Sequence, residues 1–347
     1  MKILIIRFKQ IGDSILASSL CNSLKKSFPD SQIDYVLYEH VSPVFEKHKA
    51  IDNVISIKKD EQQNIFKYIK RVWQVTRTDY DIVIDVMSTL KSELFTFFSI
   101  RSPYRIGRFK KHRGYTYTHK IKEPENAKDK VDKFLKMLKP LENKYKIVYD
   151  NIFNVYITEE EKLYMKNKML NAGINFLRPI FICAINTRVE SKLYPIDKML
   201  TIVKTIKEKY SSQIIFFYSP DEKEFALKAH KSLDNDKDIF TNIETKSIRE
   251  LAMLISNCDM FFGNEGGPRH MAQGLNIPSF AIFSPNSFKK EWLPNRNEMQ
   301  QGVHPEDITS DLSGLSFEEK YNLITPQYVI DKVCEIYDKI ILNNVKN

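Results

Sequence analysis

The chain has 347 residues, of which 42% are hydrophobic and 28% are charged, as in a globular protein and unlike a disordered one. No apolar run approaches the roughly 18 residues of a membrane-spanning helix, and the run near the N-terminus is too short for a signal-peptide core. The four cysteines lie far apart, which excludes a disulfide framework and a cysteine metal site. We therefore expect a cytoplasmic protein with reduced, mostly buried thiols.

The net charge of +9 comes entirely from the first half of the chain. Residues 1–150 contain 29 Lys and Arg against 18 Asp and Glu, a net charge of +11, whereas residues 151–347 contain 24 against 26, a net charge of −2. This split indicates that the first half meets an extended anion. The candidates are nucleic acid, an anionic membrane surface and a phosphorylated lipid-linked sugar.

The chain opens with a predicted βαβ unit. Lys2 to Arg7 is an apolar strand, residues 9–14 form a loop that enters a helix, and Gln32 to Tyr38 is the next strand. The loop carries Asp13 at the helix start. An aspartate there is either an N-cap or a candidate site residue, and the residues alone leave both interpretations open.

The first half continues as alternating strands and helices with one strongly basic segment. Residues 65–75 have helical spacing, and Tyr80 to Val86 is a buried strand. Residues 101–113, RSPYRIGRFKKHR, then mix cations with aromatic rings, a combination that grips phosphates and stacks on rings. A charge run is also often only a solvated surface. The candidates for anion contact are Arg101, Arg105 and Arg108, together with Lys9 in the first loop.

The second half repeats the alternation from about residue 156. Its first helix begins at Thr158, which has the capping-box spacing to Glu161. Strands are predicted at residues 179–185 and 213–218, and an amphipathic helix is predicted at residues 326–342. The polar residues after these strands are Thr187, Arg188, Lys192 and Glu222, with Asp221 an equal alternative to Glu222.

Residues 259–285 read as strand, glycine loop, helix and strand. The loop is residues 263–267, and Pro268 suits the first turn of the helix. Free N–H groups at the helix start and the helix dipole favour an anion, commonly a phosphate. An ordinary strand-to-helix turn is the alternative. The polar residues beside the glycines favour a ligand site; they are Asn264, Glu265 and His270.

Two runs of alternating strand and helix predict two doubly wound, Rossmann-like α/β domains. We predict a first domain of residues 1–155, a second of residues 156–325 and a C-terminal helix of residues 326–347. Ligands in such sheets bind beyond the carboxyl ends of the strands, where all of these loops lie. We therefore expect the site in a cleft between the domains.

Three of these segments resemble glycosyltransferase family 9, the lipopolysaccharide heptosyltransferases. The family shows an acidic residue, Ser or Thr, Gly, two or three further residues and His. Matched to this pattern, the chain has Asn264 and Glu265 as departures, while Gly266 and His270 stand in place.

The other two segments resemble the family's opening and its lysine motif. Family members open with a strand, a Gly-Asp pair and an apolar helix, as Gly12 and Asp13 do here. They also have Lys, a variable residue, Trp and Pro, where this chain has Lys192 and then Tyr194 in place of Trp.

The resemblance implies roles for particular residues. Asp13 is the implied catalytic base, and Lys192 is implied to contact the donor phosphate and the developing charge. The predicted donor-binding residues are Thr187, Arg188, Asn264, Glu265, Gly266, Gly267 and His270, together with Glu222, whose position after a strand suits an acidic residue that accepts the ribose hydroxyls. The acceptor is assigned to the basic first domain, through Lys9, Arg101, Arg105 and Arg108.

The resemblance also implies the glycosyltransferase B fold, with the last helix packed back on the first domain. The implied reaction moves heptose from ADP-heptose to a lipopolysaccharide core or related lipid-linked glycan. A single base without a covalent nucleophile implies inversion at the anomeric carbon. The sequence has no Asp-X-Asp motif and no His/Cys cluster, so we predict no required metal and no other cofactor. We expect a monomer, peripheral to the inner membrane surface, without a nucleic-acid partner.

Other functions remain as alternatives. A different nucleotide-sugar donor is compatible with the two departures from the family pattern. A dinucleotide-dependent oxidoreductase is disfavoured, because no Gly-X-Gly-X-X-Gly follows any predicted strand. A non-catalytic glycan-, nucleotide- or nucleic-acid-binding protein is the third alternative, although no nucleic-acid-binding module accompanies the basic half.

Overall fold

The computed structural model describes residues 1–123 and 126–345 and divides the chain into two units, Met1–Tyr156 and Ile157–Asn347. The predicted border at residues 155 and 156 lies beside this division. Each unit is an α/β unit built on one parallel sheet, so the predicted fold class is confirmed. No helix in the described ranges combines the length and the apolar character needed to cross a membrane.

Unit 1 contains a six-stranded sheet with helices on its faces. The strands are β1 (Lys2–Ile6), β2 (Gln32–Tyr38), β3 (Asn53–Ile57), β4 (Ile82–Asp85), β5 (Tyr104–Arg108) and β6 (His119–Ile121). The helices are α1 (Ile11–Ser27), α2 (Lys59–Gln63), α3 (Ile65–Thr76), α4 (Leu90–Phe98) and α5 (Lys130–Leu135), with 3₁₀ turns at Ser42–Phe45 and Lys136–Asn143. The strand order is β3-β2-β1-β4-β5-β6, and every pairing is parallel.

The two faces of this sheet are covered by different helices. On one face, α3 and α4 bury Tyr68, Val72 and Phe95 against Leu4 and Ile6 of β1. On the other face, α1 packs beside α5, and the Tyr35 hydroxyl of β2 donates a hydrogen bond to a carbonyl of α1. Because β1 is covered on both sides, it is a continuous apolar run rather than an alternating one.

Unit 2 has a second six-stranded parallel sheet. Its strands are β7 (Ile180–Ala184), β8 (Gln213–Phe217), β9 (Ile239–Phe240), β10 (Met260–Asn264), β11 (Ser279–Ile282) and β12 (Gln300–Val303). Its helices are α6 (Glu159–Asn171), α7 (Ile196–Tyr210), α8 (Lys223–Lys231), α9 (Ile248–Ile255), α10 (Gly267–Gly274), α11 (Lys289–Trp292), α12 (Phe317–Asn322) and α13 (Pro326–Val345). Short 3₁₀ turns cover Glu190–Lys192, Pro220–Glu222 and Pro305–Asp307. The strand order is β12-β11-β10-β7-β8-β9.

The centre of this sheet depends on a close approach between β7 and β10. Gly263 of β10 has φ +119°, and a Cβ atom there would lie 2.7 Å from the Ala184 carbonyl oxygen of β7. Only glycine fits this position without moving a backbone. The close approach brings the carboxyl ends of the two strands, and the loops that follow them, side by side.

The C-terminal helix α13 packs within unit 2. Val333, Ile336 and Tyr337 join its core, and Tyr337 lies edge-on to Phe181 of β7 at a ring distance of 4.7 Å. Its expected packing on the first domain stays a prediction.

Several local predictions can be compared directly with the structure. Thr158 and Glu161 form the predicted capping box at the start of α6. All four cysteines are buried and free, as expected. The short strands β5, β6, β9 and β12 were not predicted, because β5 reads as part of a basic run and the other three contain no apolar run of strand length.

Candidate functional site

Asp13 lies in the first turn of α1, beyond the carboxyl end of β1. Gln10 occupies the N-cap of this helix, with φ +70°, so Asp13 is not the cap. Its Oδ1 forms an ion pair with Nη2 of Arg7 at 2.9 Å, and both side chains are largely buried. The ion pair holds the Asp13 carboxylate in one position at the start of the helix.

Arg7 is a site residue that the sequence interpretation missed. It follows β1 directly, it is 8% exposed, and its Nη1 contacts the sulfur of Met87. Among the described residues none accepts a hydrogen bond from its Nε. The sequence feature that could have identified Arg7 is an arginine directly after an apolar strand. A buried arginine needs either a charged partner in the protein or a ligand.

A second buried carboxylate lies beside Arg7 at the same edge of the sheet. Asp85 ends β4 and pairs in register with Ile6 of β1. It accepts hydrogen bonds from the Tyr117 hydroxyl at 2.7 Å and from the backbone N–H groups of Met87 and Ser88 at 3.0 and 2.8 Å. Burial raises the pKa of Asp85 to about 6, although these hydrogen bonds act in the opposite direction.

The structure does not bring the predicted acceptor-binding arginines together. Arg101 precedes β5 and therefore lies near the amino edge of the sheet, whereas Asp13 and Lys9 follow β1 at the carboxyl edge. A five-residue strand separates these edges by roughly 15 Å. Arg101 is 86% exposed along its side chain and pairs with Asp79 at 3.8 Å.

The other two arginines lie on β5 and have different surroundings. Arg105 donates hydrogen bonds to three backbone carbonyls, those of Thr116, Ile100 and Ser102, at 2.7, 2.9 and 2.6 Å. These contacts indicate that Arg105 holds the segments that lead into β5 and β6, and its role in acceptor binding stays a prediction. Arg108 ends the strand at the carboxyl edge and lies 3.7 Å from Glu123.

In unit 2, the side chain of Asn264 has a structural position. Its Nδ2 donates to the Ala184 carbonyl, and its Oδ1 accepts the backbone N–H of Tyr194, both at 2.8 Å. It therefore fastens the loop after β7 to the ends of β7 and β10. Both polar groups of the amide are used in the protein, and the residue is 2% exposed.

Glu265, one residue later, has the contacts of a site residue. Its Oε1 forms an ion pair with the Lys192 ammonium and accepts a hydrogen bond from the Ser287 hydroxyl at 3.1 Å. The glutamate is buried, whereas Lys192 is 40% exposed along its side chain. These contacts favour matching the family's acidic position to Glu265 rather than to Asn264. In that register Gly266 replaces the hydroxyl residue, Gly267 is the glycine, and His270 still follows at an allowed spacing.

Gly266 and Gly267 form the start of α10. Gly266 is the N-cap, and its φ of 167° is ordinary extended backbone. A Cβ atom there would meet only the Pro268 ring, at 3.7 Å, so the fold itself leaves room for a side chain. The Gly267 amide is at the first helical position, where no preceding turn supplies a carbonyl. This amide is available to an anion near Lys192.

A fully buried arginine fixes the state of His270. Arg269 donates to Nδ1 of His270 at 2.5 Å, to Oε1 of Gln273 at 2.5 Å and to the Trp292 carbonyl at 2.6 Å. Because a guanidinium only donates, Nδ1 must carry the lone pair and the ring proton belongs to Nε2. Burial and the charges of Arg269 and Lys192 hold the pKa of His270 well below its usual range, so the ring is neutral.

The local charge around α10 favours an anion. Burial lowers the pKa of Arg269 to about 9, while the Glu265 carboxylate acts to raise it. Arg269 is therefore mostly charged near neutral pH. Two cations, Arg269 and Lys192, thus surround one carboxylate, and His270 adds no charge. The net charge of these four side chains is therefore +1, and it lies beside a helix N-terminus, an arrangement that suits a phosphate group.

The remaining predicted donor residues lie in the loops after β7 and β8. The Thr187 hydroxyl donates to the Val189 carbonyl at 2.8 Å, and Arg188 is exposed. Glu222 uses Oε2 to accept from the backbone N–H and the hydroxyl of Ser219, at 2.8 and 2.6 Å. Near this turn is a cavity of 270 Å³, lined by Phe216, Phe217, Tyr218, Pro220, Lys223, Ile243, Glu244, Thr245 and Leu254.

In residues 1–123 and 126–345, no three His, Cys, Asp or Glu side chains are grouped so that they could hold a metal ion.

Comparisons with known proteins extend these findings. The chain is 24% identical over 312 residues to lipopolysaccharide heptosyltransferase 1 of Campylobacter coli, covering 86% of this chain and 89% of that protein. A family 9 glycosyltransferase structure from Veillonella parvula superposes with a TM-score of 0.78 and 19% identity, covering 97% of both chains. The E. coli ADP-heptose lps heptosyltransferase II gives a TM-score of 0.77 at 19% identity, covering 98% of this chain and 99% of that one.

The solved structures, at these identities, establish the fold alone. The family follows from the sequence profile described as glycosyltransferase family 9 (heptosyltransferase), which matches residues 69–321. This match covers most of the chain and includes every candidate residue of unit 2. The chain is therefore a glycosyltransferase that belongs to family 9, the heptosyltransferase family.

Proposed function

We propose that this enzyme transfers L-glycero-D-manno-heptose from ADP-heptose to a lipopolysaccharide core or a related lipid-linked glycan. The transfer inverts the anomeric carbon and needs no metal. The enzyme works as a monomer at the inner face of the cytoplasmic membrane. The support is the family, the lipopolysaccharide heptosyltransferases among the similar proteins, and above all the Lys192–Glu265 pair beside the start of α10.

Unit 2 is assigned the donor. Breaking the bond between the anomeric carbon and the diphosphate leaves positive charge on the sugar and negative charge on the leaving ADP. Preorganised donors at such a leaving group can contribute roughly 3–4 kcal/mol each. Lys192 and the Gly267 amide are suited to that role, and the carboxylate of Glu265 orients the lysine ammonium. The apolar cavity near Pro220 is large enough for a nucleobase.

Unit 1 is assigned the acceptor and the base. In the transfer step, the acceptor hydroxyl gives its proton to the Asp13 carboxylate while its oxygen attacks the anomeric carbon. The bond from that carbon to the diphosphate oxygen breaks, and the electron pair leaves with ADP. Arg7 orients the carboxylate through the 2.9 Å ion pair. Attack from the face opposite the leaving group inverts the anomeric configuration.

The decisive experiment replaces Asp13 by Asn. The amide keeps the size of the carboxylate but cannot take the proton, so we expect turnover to fall by roughly 10²- to 10⁴-fold. ADP affinity, measured by calorimetry, should stay at the wild-type value because the donor is bound by unit 2. Asp197→Asn is the matched control, since Asp197 also lies in a first helical turn, that of α7, and is exposed.

Two further readouts complete this test. Nuclear magnetic resonance of the product gives the anomeric configuration, and EDTA should leave the wild-type rate unchanged. Near-full turnover of Asp13→Asn with saturating substrates would remove Asp13 as the base. Turnover with another nucleotide sugar but not with ADP-heptose would favour the alternative donor. Tight ADP binding without transfer to any glycan would instead favour a non-catalytic binding protein.

A further inference from the structure

Unit 1 exposes large apolar side chains at four neighbouring positions. Phe66 near the start of α3, Leu90 at the start of α4, and Phe109 and Tyr115 after β5 are exposed by 81%, 65%, 51% and 80%. Soluble proteins expose single apolar side chains routinely, but a group of this size on adjoining segments indicates an interaction surface.

Hydrogen bonds join these positions into one surface. The Tyr68 hydroxyl of α3 donates to the Lys91 carbonyl of α4 at 2.8 Å, and Lys91 donates to the Gln62 carbonyl at 2.9 Å. The loop after β5 is tied to α4 in the same way, because Thr96 and Thr116 share a hydrogen bond of 2.5 Å. The start of α4 therefore lies beside the start of α3, and the loop of residues 109–116 runs along α4 from Ser88, which accepts from Lys110, to Thr96.

The loop after β5 adds positive charge to the same surface. Residues 109–116 contain Lys110, Lys111 and Arg113 and no Asp or Glu. Of these, Lys111 and Arg113 are exposed in the loop between Phe109 and Tyr115. We call this surface the basic aromatic face; it consists of Phe66, Leu90, Lys91, Phe109, Lys111, Arg113 and Tyr115.

The basic aromatic face is connected to the candidate base. Asp13 pairs with Arg7, and Arg7 contacts the sulfur of Met87. The next residue, Ser88, accepts a hydrogen bond from Lys110 through its carbonyl at 2.6 Å. A ligand lying on this face would therefore be close to the carboxyl edge of the unit 1 sheet, where Asp13 lies.

We propose that the basic aromatic face is the surface through which this enzyme docks on an anionic lipid bilayer. Rings and a leucine side chain enter the headgroup region, while the cations attract acidic lipids. The inference rests on the proposed function in one respect, since a lipid-linked acceptor presents its sugar at such a surface. It goes further by naming the docking residues and the charge of the lipid.

Two other occupants fit these observations less well. A second copy of the chain would meet this face with the same face in a twofold dimer, which places cations against cations. Nucleic acid would use the cations and the rings, but Leu90 and the aliphatic edge at α4 offer no stacking surface.

The test is co-sedimentation of the full chain with vesicles. One set is phosphatidylcholine alone, and the other contains phosphatidylglycerol as well. We expect binding to the second set, weakened by added salt because exposed charges are screened. Replacing Lys111 and Arg113 by Gln should lower the partition coefficient roughly thirtyfold, from about 1 kcal/mol for each cation. Replacing Phe66 and Leu90 by Ser should lower it at least roughly tenfold.

The controls are matched substitutions in unit 2. Leu177→Ser removes an apolar side chain that is 95% exposed, and Lys204→Gln with Lys237→Gln removes two exposed cations. These variants should partition like the wild type. All substituted side chains are exposed, so equal melting temperatures are expected, and a circular-dichroism melt checks this.

Several results would overturn the inference. One is equal binding to both vesicle sets, and another is wild-type partitioning of the two face variants. A dimer of the wild type that the Phe66/Leu90 variant no longer forms would identify a second copy as the occupant. Binding of duplex DNA that the Lys111/Arg113 variant loses would identify nucleic acid. Transfer to a deacylated, water-soluble acceptor separates this inference from the proposed function. The Phe66/Leu90 variant should retain that activity, whereas failure of the wild type to use ADP-heptose would count against the proposed function alone.

Discussion

Asp85 shows how a single buried carboxylate can shape the pH dependence of this enzyme's folding stability. It is fully buried at the end of β4, and burial raises its pKa from 3.8 to about 6. The folded protein therefore holds this proton more tightly than the unfolded chain does. The stabilisation is fully present below the unfolded pKa and is lost as pH rises through the folded pKa.

We predict that Asp85→Asn removes this loss. The amide oxygen can accept the two backbone N–H groups, and its nitrogen can donate to the Tyr117 oxygen. Relative to wild type, the variant should gain up to about 3 kcal/mol in free energy of unfolding between about pH 4 and about pH 7. Urea denaturation at several pH values measures this difference.

The comparison with wild type cancels the titration of the other carboxylates. Asp30→Asn is a suitable control, because Asp30 is exposed in the turn before β2. A difference between Asp85→Asn and wild type that stays constant over this pH range would contradict the prediction. It would mean that the hydrogen bonds of Asp85 outweigh its desolvation.

At the scale of elements, β5 carries one arginine that is bound to backbone carbonyls and one whose described side-chain contacts are weaker. Arg105 donates to three carbonyls in the segments that lead into β5 and β6, whereas the described contacts of the Arg108 side chain are a long ion pair with the half-exposed Glu123 and a position over the Phe134 ring. Both belong to one basic run in sequence. Their position on a strand, which ties one of them to backbone carbonyls, gives them different roles.

We predict that Arg105→Ala mainly destabilises the protein. Carbonyls left without a donor cost roughly 1–3 kcal/mol when they are buried, so the free energy of unfolding should fall by about that amount. Arg108→Ala is the matched variant and should cost less than about 1 kcal/mol, as expected for a surface ion pair. Urea denaturation of both variants measures the difference, and a larger loss in Arg108→Ala would reverse the assignment.

The sequence predicted the elements that bury continuous apolar runs and missed those that do not. The runs in β1, β4, β7 and β10 mark the central strands of both sheets, and the helices between them follow. Strand β5, with the sequence YRIGR, lies inside a basic segment and has no continuous apolar run, so it was not predicted as a strand. Its neighbour β6 has three residues, too few for any periodic pattern.

For the candidate site, the sequence identified the loops but not the contacts within them. Arg7 and Asp13 are joined by a strand-to-helix turn whose geometry the sequence does not specify. Arg269 was not singled out, because an arginine is almost always exposed unless it is paired. The choice between Asn264 and Glu265 required their hydrogen-bond partners, since only one of the two side chains is already satisfied by the backbone.

The whole molecule has two units with separate sheets, and the proposed donor residues all belong to one of them. The proposed ADP contacts lie in the loops after β7, β8 and β10, which share the carboxyl edge of the unit 2 sheet. A ligand that binds only the folded form of a unit stabilises that unit against local opening.

We therefore predict that ADP slows backbone hydrogen exchange mainly in unit 2. With ADP at about 100 times its dissociation constant, protection should rise by up to about 2.7 kcal/mol in those peptides that exchange through opening of this unit. Peptides covering β7, β10 and α10 should respond most, and those covering α3 and α4 least.

Gly266→Ala is the control, because its Cβ fits the fold but would project where the diphosphate is proposed to lie. This variant should keep the wild-type exchange pattern without ADP and lose the ADP-dependent protection. Protection that rises equally in both units, or that survives Gly266→Ala unchanged, would place the nucleotide elsewhere.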